Sequence, residues 1–312
     1  MSPESHLVVG AGPIGSRVAQ LLLERGDSVL LATRRGTPLP GARAVVADAA
    51  DAASLARAAD GCRTIFVCAS PAAYTAEAWQ SEWPPIFRAA MHAANETRAR
   101  LVVMGNLYPY GPVDGAMTEH TPENPATAKA RVRHDGWQAL KAATDAGELR
   151  AVEVRASDYF GAGARGTAHL GERFFAPVMA SHAAQVVGDP AVPHSWSYLD
   201  DIARTLVAAA HYRGPWGRVW HVPSGIPHSR IEIAETLDEW FGAHGSAKGM
   251  PRWALRSAGL FSPQLRGVAD EAWQFERPFV IDASETERML GVAATPWETA
   301  LRATAESYRA AH

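Results

Sequence analysis

Six residues near the start of the chain, Gly10-Ala11-Gly12-Pro13-Ile14-Gly15, have the G-x-G-x-x-G spacing that brings a backbone against a phosphate. The apolar run Leu7-Val8-Val9 precedes them, and Ile14, Val18, Leu21 and Leu22 follow at helical spacing. The pattern predicts a buried strand, a tight turn and a helix. Gly10 permits the turn, Gly12 lets the backbone approach a pyrophosphate, and Gly15 lets the helix pack on the strand. The start of that helix, with Pro13 and Ile14, presents backbone amides to negative charge. Ala69 and Ser70, just past a later apolar run, are expected to border the same ligand. The chemistry indicated is dinucleotide binding.

The end of the second predicted strand selects the dinucleotide. It reads Thr33-Arg34-Arg35, with no acid anywhere from Ser28 to Leu39. A carboxylate here would accept from a ribose 2′-hydroxyl, whereas guanidinium groups pair with a 2′-phosphate. Thr33, Arg34 and Arg35 therefore point to NADP rather than NAD.

The elements that must hold these residues follow from the rest of the pattern. Further strands are expected at 44–48, 64–69, 101–104 and 151–155, and helices at 52–59, 74–95 and 125–145, the second of them broken near Trp83-Pro84-Pro85. Apolar strands alternating with helices make an α/β fold, a Rossmann doubly wound parallel sheet that binds ligands at the carboxyl ends of its strands. From about residue 160 the pattern loosens. We expect an NADP-binding domain over 1–165, with 197–222 returning to it. Segments 166–196 and 223–312 would mainly form a smaller, discontinuous C-terminal substrate lobe.

Composition excludes other classes. The chain has 312 residues, 47% hydrophobic and 20% charged, as in a globular enzyme. A net charge of −3 gives no electrostatic case for nucleic acid or an anionic membrane. Two cysteines, Cys62 and Cys68, and twelve histidines show no metal-ligand spacing, so no metal is expected. No run of eighteen apolar residues and no leader pattern occur, so a cytoplasmic location is expected. Abundant Ala and Arg point to a GC-rich bacterial genome.

Several later segments carry a resemblance. Tyr110-Gly111-Pro112, Arg155-Ala156-Ser157-Asp158-Tyr159-Phe160-Gly161, His194-Ser195-Trp196-Ser197-Tyr198-Leu199-Asp200-Asp201 and Asp282-Ala283-Ser284 follow the glycine turn in order. Together they resemble the extended short-chain dehydrogenase/reductase superfamily, the NAD-dependent epimerases and dehydratases. The resemblance implies that Asp48 hydrogen-bonds the adenine amino group. Read from its position alone, Asp48 serves equally well as the N-cap of the next helix. The resemblance also implies that Asp200-Asp201 caps a structural helix, and that 74–95 and 125–145 would pair two copies into a homodimer.

The departures bear on chemistry. The family's apparatus is a Ser or Thr after the fifth strand and a Tyr-x-x-x-Lys on the next helix. Asn106 stands at the first position, and no Tyr-x-x-x-Lys exists in the chain. The best helix register puts Thr127 and Arg131 in the dyad's places, with Lys129 nearby. A threonine hydroxyl is too basic to relay protons near neutral pH. The sequence thus resembles an atypical branch that keeps fold and cofactor but loses the dyad.

Other groups must then handle the proton. Tyr108 and Tyr159 are expected at the carboxyl edge, and Lys129 either lowers the pKa of one of them or holds the cofactor ribose. Asn106 would polarise a carbonyl, and Tyr110 reads as a packed structural tyrosine. Trp79, Trp83, His169, Phe174, Trp196 and Trp273 are candidates to line the substrate site, and Arg165, Arg173, Arg230 and Arg277 to bind a diphosphate. The function expected is an NADP(H)-dependent oxidoreductase acting on a small carbonyl or related unsaturated molecule. The alternatives are a sugar-nucleotide epimerase or dehydratase, and a non-catalytic NADP-binding redox sensor.

Overall fold

The computed structural model describes residues 4–164, 166 and 168–309. In its first half strands and helices alternate: β1 (Ser5–Val9), α1 (Pro13–Glu24), β2 (Ser28–Thr33), β3 (Arg43–Val46), α2 (Ala52–Ala58), β4 (Thr64–Val67), α3 (Ala76–Thr97), β5 (Arg100–Asn106), α4 (Ala128–Asp145) and β6 (Arg150–Ala156). There follow β7 (Tyr159–Phe160), α5 (Glu172–Met179), β8 (Ala183–Val187), β9 (Ser197–Tyr198), α6 (Leu199–Ala210), β10 (Arg218–His221) and α7 (Arg230–Phe241). The chain continues with β11 (Ser246–Met250), α8 (Arg252–Gly259), α9 (Pro263–Asp270), α10 (Ser284–Leu290) and α11 (Trp297–Arg309).

Seven strands form one parallel sheet in the order β10-β6-β5-β4-β1-β2-β3. Strand order reverses between β1 and β4, so their carboxyl ends open a crevice. Alternate residues feed two cores. Leu7, Ile65, Leu101 and Val103 pack with the apolar faces of α2, α3 and α4. Val8, Phe66, Val102 and Val154 pack with α1 and α6 through Leu22, Ile202 and Leu206. A third core, containing Phe160, Phe174, Trp196, Leu237 and Leu301, joins the later segments.

Three expected boundaries change. The third strand ends at Val46, because Asp48 Oδ1 accepts from Ala50 N at 3.0 Å and turns the chain. Helix α4 begins at Ala128, because Thr127 Oγ1 accepts from Ala130 N and caps it. Helix α3 is unbroken although Pro84 and Pro85 lie inside it. The carbonyls that lose their donors belong to Gln80 and Ser81, which face solvent, while buried Trp79, Trp83, Ile86 and Phe87 hold the helix down.

The strand at 151–155 hides an ionic network. Glu153 is fully buried in β6. Its Oε1 accepts from Arg133 Nη2 at 2.8 Å and its Oε2 from Arg155 Nε at 2.7 Å. Gly105 on the neighbouring strand makes room, since a methyl there would lie 2.6 Å from Glu153 Cγ. Removing the carboxylate's charge would leave buried Arg133 without an anionic partner and Arg155 with Glu123 alone. We predict that Glu153→Gln costs about 3–5 kcal/mol of stability, read as a drop in the urea midpoint. A change below ~1 kcal/mol would show the network to be dispensable.

Candidate active site

Two adjoining cavities occupy the crevice, one of about 570 Å³ over β1–β3 and one of about 290 Å³ over β4–β6. Gly12, Cys68, Ala69 and Ser70 line both, so the glycine turn and the end of β4 form the saddle between them. Pro13 and Ile14 border the inner cavity only. A larger cavity of about 1000 Å³ lies at the opposite, amino edge of the sheet, far from this turn. Of its arginines, Arg100 Nη1 donates to Ala210 O at the end of α6 at 2.7 Å and Arg63 pairs with Glu4.

The turn is built as its spacing predicts. Gly10 has φ +101°, and a Cβ on it would sit 2.9 Å from the Ala69 backbone. A Cβ on Gly15 would lie 2.0 Å from Gly10 O, whereas nothing stands within 4 Å of the one on Gly12. Gly12 is the N-cap of α1, with no side chain capping the helix. Its first-turn amides are thus left for an anion. These residues fit a dinucleotide pyrophosphate. Cys68, half-buried beneath them, has its thiol pushed up to about 12 by burial.

At the outer end Thr33, Arg34 and Asp48 line the 570 Å³ cavity, and Arg35 does not. The N-cap of α2 is Asp51, which accepts from Ser54 N at 3.1 Å. Asp48 is therefore not the cap, and its carboxylate borders the cavity instead. The pair Asp200-Asp201 also differs from expectation. No side chain caps α6; Asp200 accepts from Arg17 Nε at 2.6 Å, and Asp201 Oδ2 accepts from Thr295 N at 2.8 Å.

The inner cavity gathers Asn106, Tyr108 and Tyr159, together with Trp79, Trp83 and His169. Asn106 Oδ1 accepts from Tyr108 N at 3.2 Å, which leaves its NH2 group as the end available to a ligand oxygen. Tyr108 and Tyr74 share a 2.5 Å hydrogen bond between hydroxyls, and burial above all raises the pKa of both. Tyr108 is thus a hydrogen-bonding wall group rather than a readily ionised phenol. Tyr110 is packed, with its hydroxyl 2.7 Å from His221 Nε2. Trp196 and Trp273 are buried in cores away from the cavity.

Helix α4 corrects the register read from the sequence. Thr127 is the N-cap and donates to Glu271 Oε1 at 2.6 Å, while Arg131 faces solvent. The inward-facing pair, spaced i and i+4, is Lys129 and Arg133, each 1% exposed. Lys129 does not reach the cavities. Its Nζ donates to Gly267 O, lies 3.8 Å from Glu271 Oε1 and sits 3.9 Å over the Tyr74 ring. Burial lowers its pKa and Glu271 opposes the shift. The cavity-lining member is Arg133, whose Nε and Nη1 are buried without a hydrogen-bond partner. The i,i+4 spacing of the two basic residues was the available signal.

Sequence reasoning also missed Asp158, which lines the inner cavity. Burial would raise its carboxyl, but His194 Nε2 at 2.9 Å outweighs that and holds it below the usual range. Beyond it, an outer cavity of about 410 Å³ brings Arg173 and Arg230 together with His169 and Phe174. Arg277 lies elsewhere, 3.7 Å from Asp114, and Arg165 is outside the described residues.

The profile of the NAD dependent epimerase/dehydratase family matches residues 6–222. The chain belongs to that family.

Among solved structures it is similar to MoeE5 in complex with UDP-glucuronic acid and NAD, at 20% identity and TM-score 0.79, covering 99% of this chain and 100% of that one. It is similar to UDP-glucose 4-epimerase of Thermotoga maritima with UDP-glucose, at 16% identity and TM-score 0.79, covering 98% and 99%. A double mutant of DesIV, the dTDP-glucose 4,6-dehydratase of Streptomyces venezuelae, with NAD and DAU bound, gives 20% identity and TM-score 0.76, covering 97% and 96%. At these identities the likeness is one of fold. No curated protein matches at the sequence level. No helix among the described residues is long and apolar enough to cross a membrane.

The family fold here buries a neutral imidazole beside the site. Burial, aided by Arg155, lowers His221 from 6.5 to about 3. Its folded value is depressed, so between those values the unfolded chain binds a proton that the folded one refuses. Stability from this group is full above about pH 6.5 and falls as pH drops toward 3, by up to about 1.4 kcal/mol per pH unit. Urea midpoints at pH 7 and pH 5 should show this loss, and His221→Asn should shrink it. An equal loss in the variant would assign the effect to other groups.

Proposed function

We propose that this chain is an NADP(H)-dependent oxidoreductase of the atypical extended type, acting on a small carbonyl or related unsaturated substrate. Residues 1–165 and 197–222 hold the dinucleotide, while 166–196 and 223–312 mainly hold the substrate. The observation that carries the reading is on α4. The inward i,i+4 pair there is Lys129 and Arg133, so the groove has no phenol base of the Tyr-x-x-x-Lys kind. Oxidising a sugar hydroxyl needs such a base. Reducing an already polarised double bond needs hydrogen-bond donors at the oxygen and a proton source.

A bound dinucleotide supplies the hydride. Gly10, Gly12 and Gly15 would seat its pyrophosphate, Asp48 and Arg34 its adenosine end, and the spare nitrogens of Arg133 its inner ribose. The Asn106 NH2 donates to the substrate oxygen and draws charge toward it. Tyr159, on the same cavity, would donate a proton to that oxygen, and water would restore it. Tyr108 and Trp79 close the apolar wall. Arg34 beside a groove end without a competing acid between 28 and 39 supports NADP.

One observation favours a second reading. Arg173 and Arg230 converge on the outer cavity, and Arg230 Nη1 is buried without a partner. That suits an anionic substrate such as a sugar nucleotide, the ligand class bound by the structural relatives.

Two measurements test the proposal. Tryptophan-fluorescence titration should give tighter NADPH than NADH binding, and Arg34→Ala with Arg35→Ala should weaken NADPH by about tenfold or more while sparing NADH. Unchanged NADPH affinity would reject the 2′-phosphate reading. NADPH consumption should be found on a panel of aldehydes, ketones, quinones and imines. Asn106→Ala and Tyr159→Phe should each lower kcat by roughly a hundredfold. Turnover only on sugar nucleotides would favour the second reading.

A further inference from the structure

Helices α8 and α9 form a hairpin beside the outer cavity. Of the eight large apolar side chains exposed among the described residues, four belong to it: Trp253 at 72%, Leu260 at 73%, Phe261 at 90% and Leu265 at 39%. Monomer surfaces rarely concentrate apolar area in this way without a partner. The charge pattern is equally local. From 245 to 269 the sequence has Lys248, Arg252, Arg256 and Arg266 and no Asp or Glu. Lys248 and Arg256 are exposed and have no ion-pair partner among the described residues. Arg266 lies toward Glu77 at the hairpin's base. The chain's net charge of −3 averages this basic patch away.

The hairpin is presented firmly. Gly267 packs so closely on the loop before α3 that a Cβ there would lie 2.0 Å from Tyr74 O. Its carbonyl also accepts from buried Lys129. Leu255 and Val268 turn inward onto the outer cavity, and Leu265 belongs to both cavity and patch.

We propose that the α8–α9 hairpin docks this protein on an anionic lipid surface, with Trp253, Leu260 and Phe261 entering the interfacial layer and Lys248 and Arg256 meeting the headgroups. Apolar side chains flanked by bases are what such a surface takes up, and the hairpin's one acid, Asp270, lies at its base near Lys129 and Glu271. A second copy fits poorly. A two-fold interface would lay the patch on itself and set bases against bases. An acidic amphipathic helix from another protein needs a groove. Here Leu260 and Phe261 instead form the projecting turn between two helices. The inference is independent of the reaction in the groove. It sets the outer cavity beside the lipid, a suitable place to receive an amphipathic substrate.

The test is co-sedimentation of the full chain with vesicles of phosphatidylcholine alone and of phosphatidylcholine with phosphatidylglycerol. Wild type should pellet with the anionic vesicles, stay in solution with the neutral ones, and be released by high salt. Leu260→Asp with Phe261→Asp should weaken partitioning at least about tenfold. Lys248→Glu with Arg256→Glu should do the same. All four side chains are exposed, so thermal midpoints should not move, and circular dichroism checks this. Failure of wild type to pellet with anionic vesicles, equal binding to neutral ones, or unaltered binding by the aspartate variant would each overturn the proposal. So would an oligomer, seen by analytical ultracentrifugation, that the aspartate variant dissociates, because the patch would then be a protein interface.

Discussion

A single carboxylate organises the carboxyl edge of this sheet. Glu153 is held inside β6 by two guanidinium groups, and each of those ties in another element. Arg133 also donates to Met104 O at 2.7 Å, joining α4 to β5. Arg155 reaches Glu123 and lies 4.7 Å over the Tyr110 ring, and Tyr110 reaches His221 at the end of β10. Ions at this depth are tolerated only when paired with good geometry. The rotation of α4 is therefore not free. Arg133 must face inward to meet Glu153, and Lys129, one turn earlier, must face inward with it.

That rotation determines which chemistry the groove offers. Where a Tyr-x-x-x-Lys helix would turn a phenol and a lysine inward at i and i+4, α4 turns two cations inward, Lys129 and Arg133. One is spent on Gly267 O and Glu271, beneath the segment that leads into the hairpin. The other keeps two guanidinium nitrogens unpartnered at the inner cavity. A guanidinium and an Asn amide are donors, suited to stabilising negative charge on an oxygen rather than to removing a proton from a hydroxyl. Lys129 links two regions that are distant in sequence, the groove and the basic hairpin.

Some features were legible in the sequence because their causes are local. The glycine turn shows in its spacing and in the strand and helix patterns that flank it, although the room that Gly10 must leave is set by Ala69 at the end of β4. Parallel strands buried on both faces must be apolar throughout, so β1, β4 and β5 stood out. Alternation of strand and helix then implied the sheet and the side on which a ligand lies. Arg34 was readable for the same reason, since it follows a strand whose end is set by pattern, whereas Asp48 was singled out through the family resemblance.

Other features depended on contacts between distant segments. The register of α4 was misread by two residues, because the Thr127 hydroxyl donates to Glu271 and Arg133 pairs with Glu153, partners 144 and 20 residues away. Glu153 is one of three charged residues in β6, and the room it needs is left by Gly105 on the neighbouring strand. The convergence of Arg173 and Arg230, and the exposure of Phe261, require two helices and a loop to be placed in space. By itself the sequence determined the fold and the dinucleotide turn, because backbone sterics and burial act over short spans. Only the tertiary structure decided which side chains face the groove, because facing is a relation between elements and charge pairing across the core selects it.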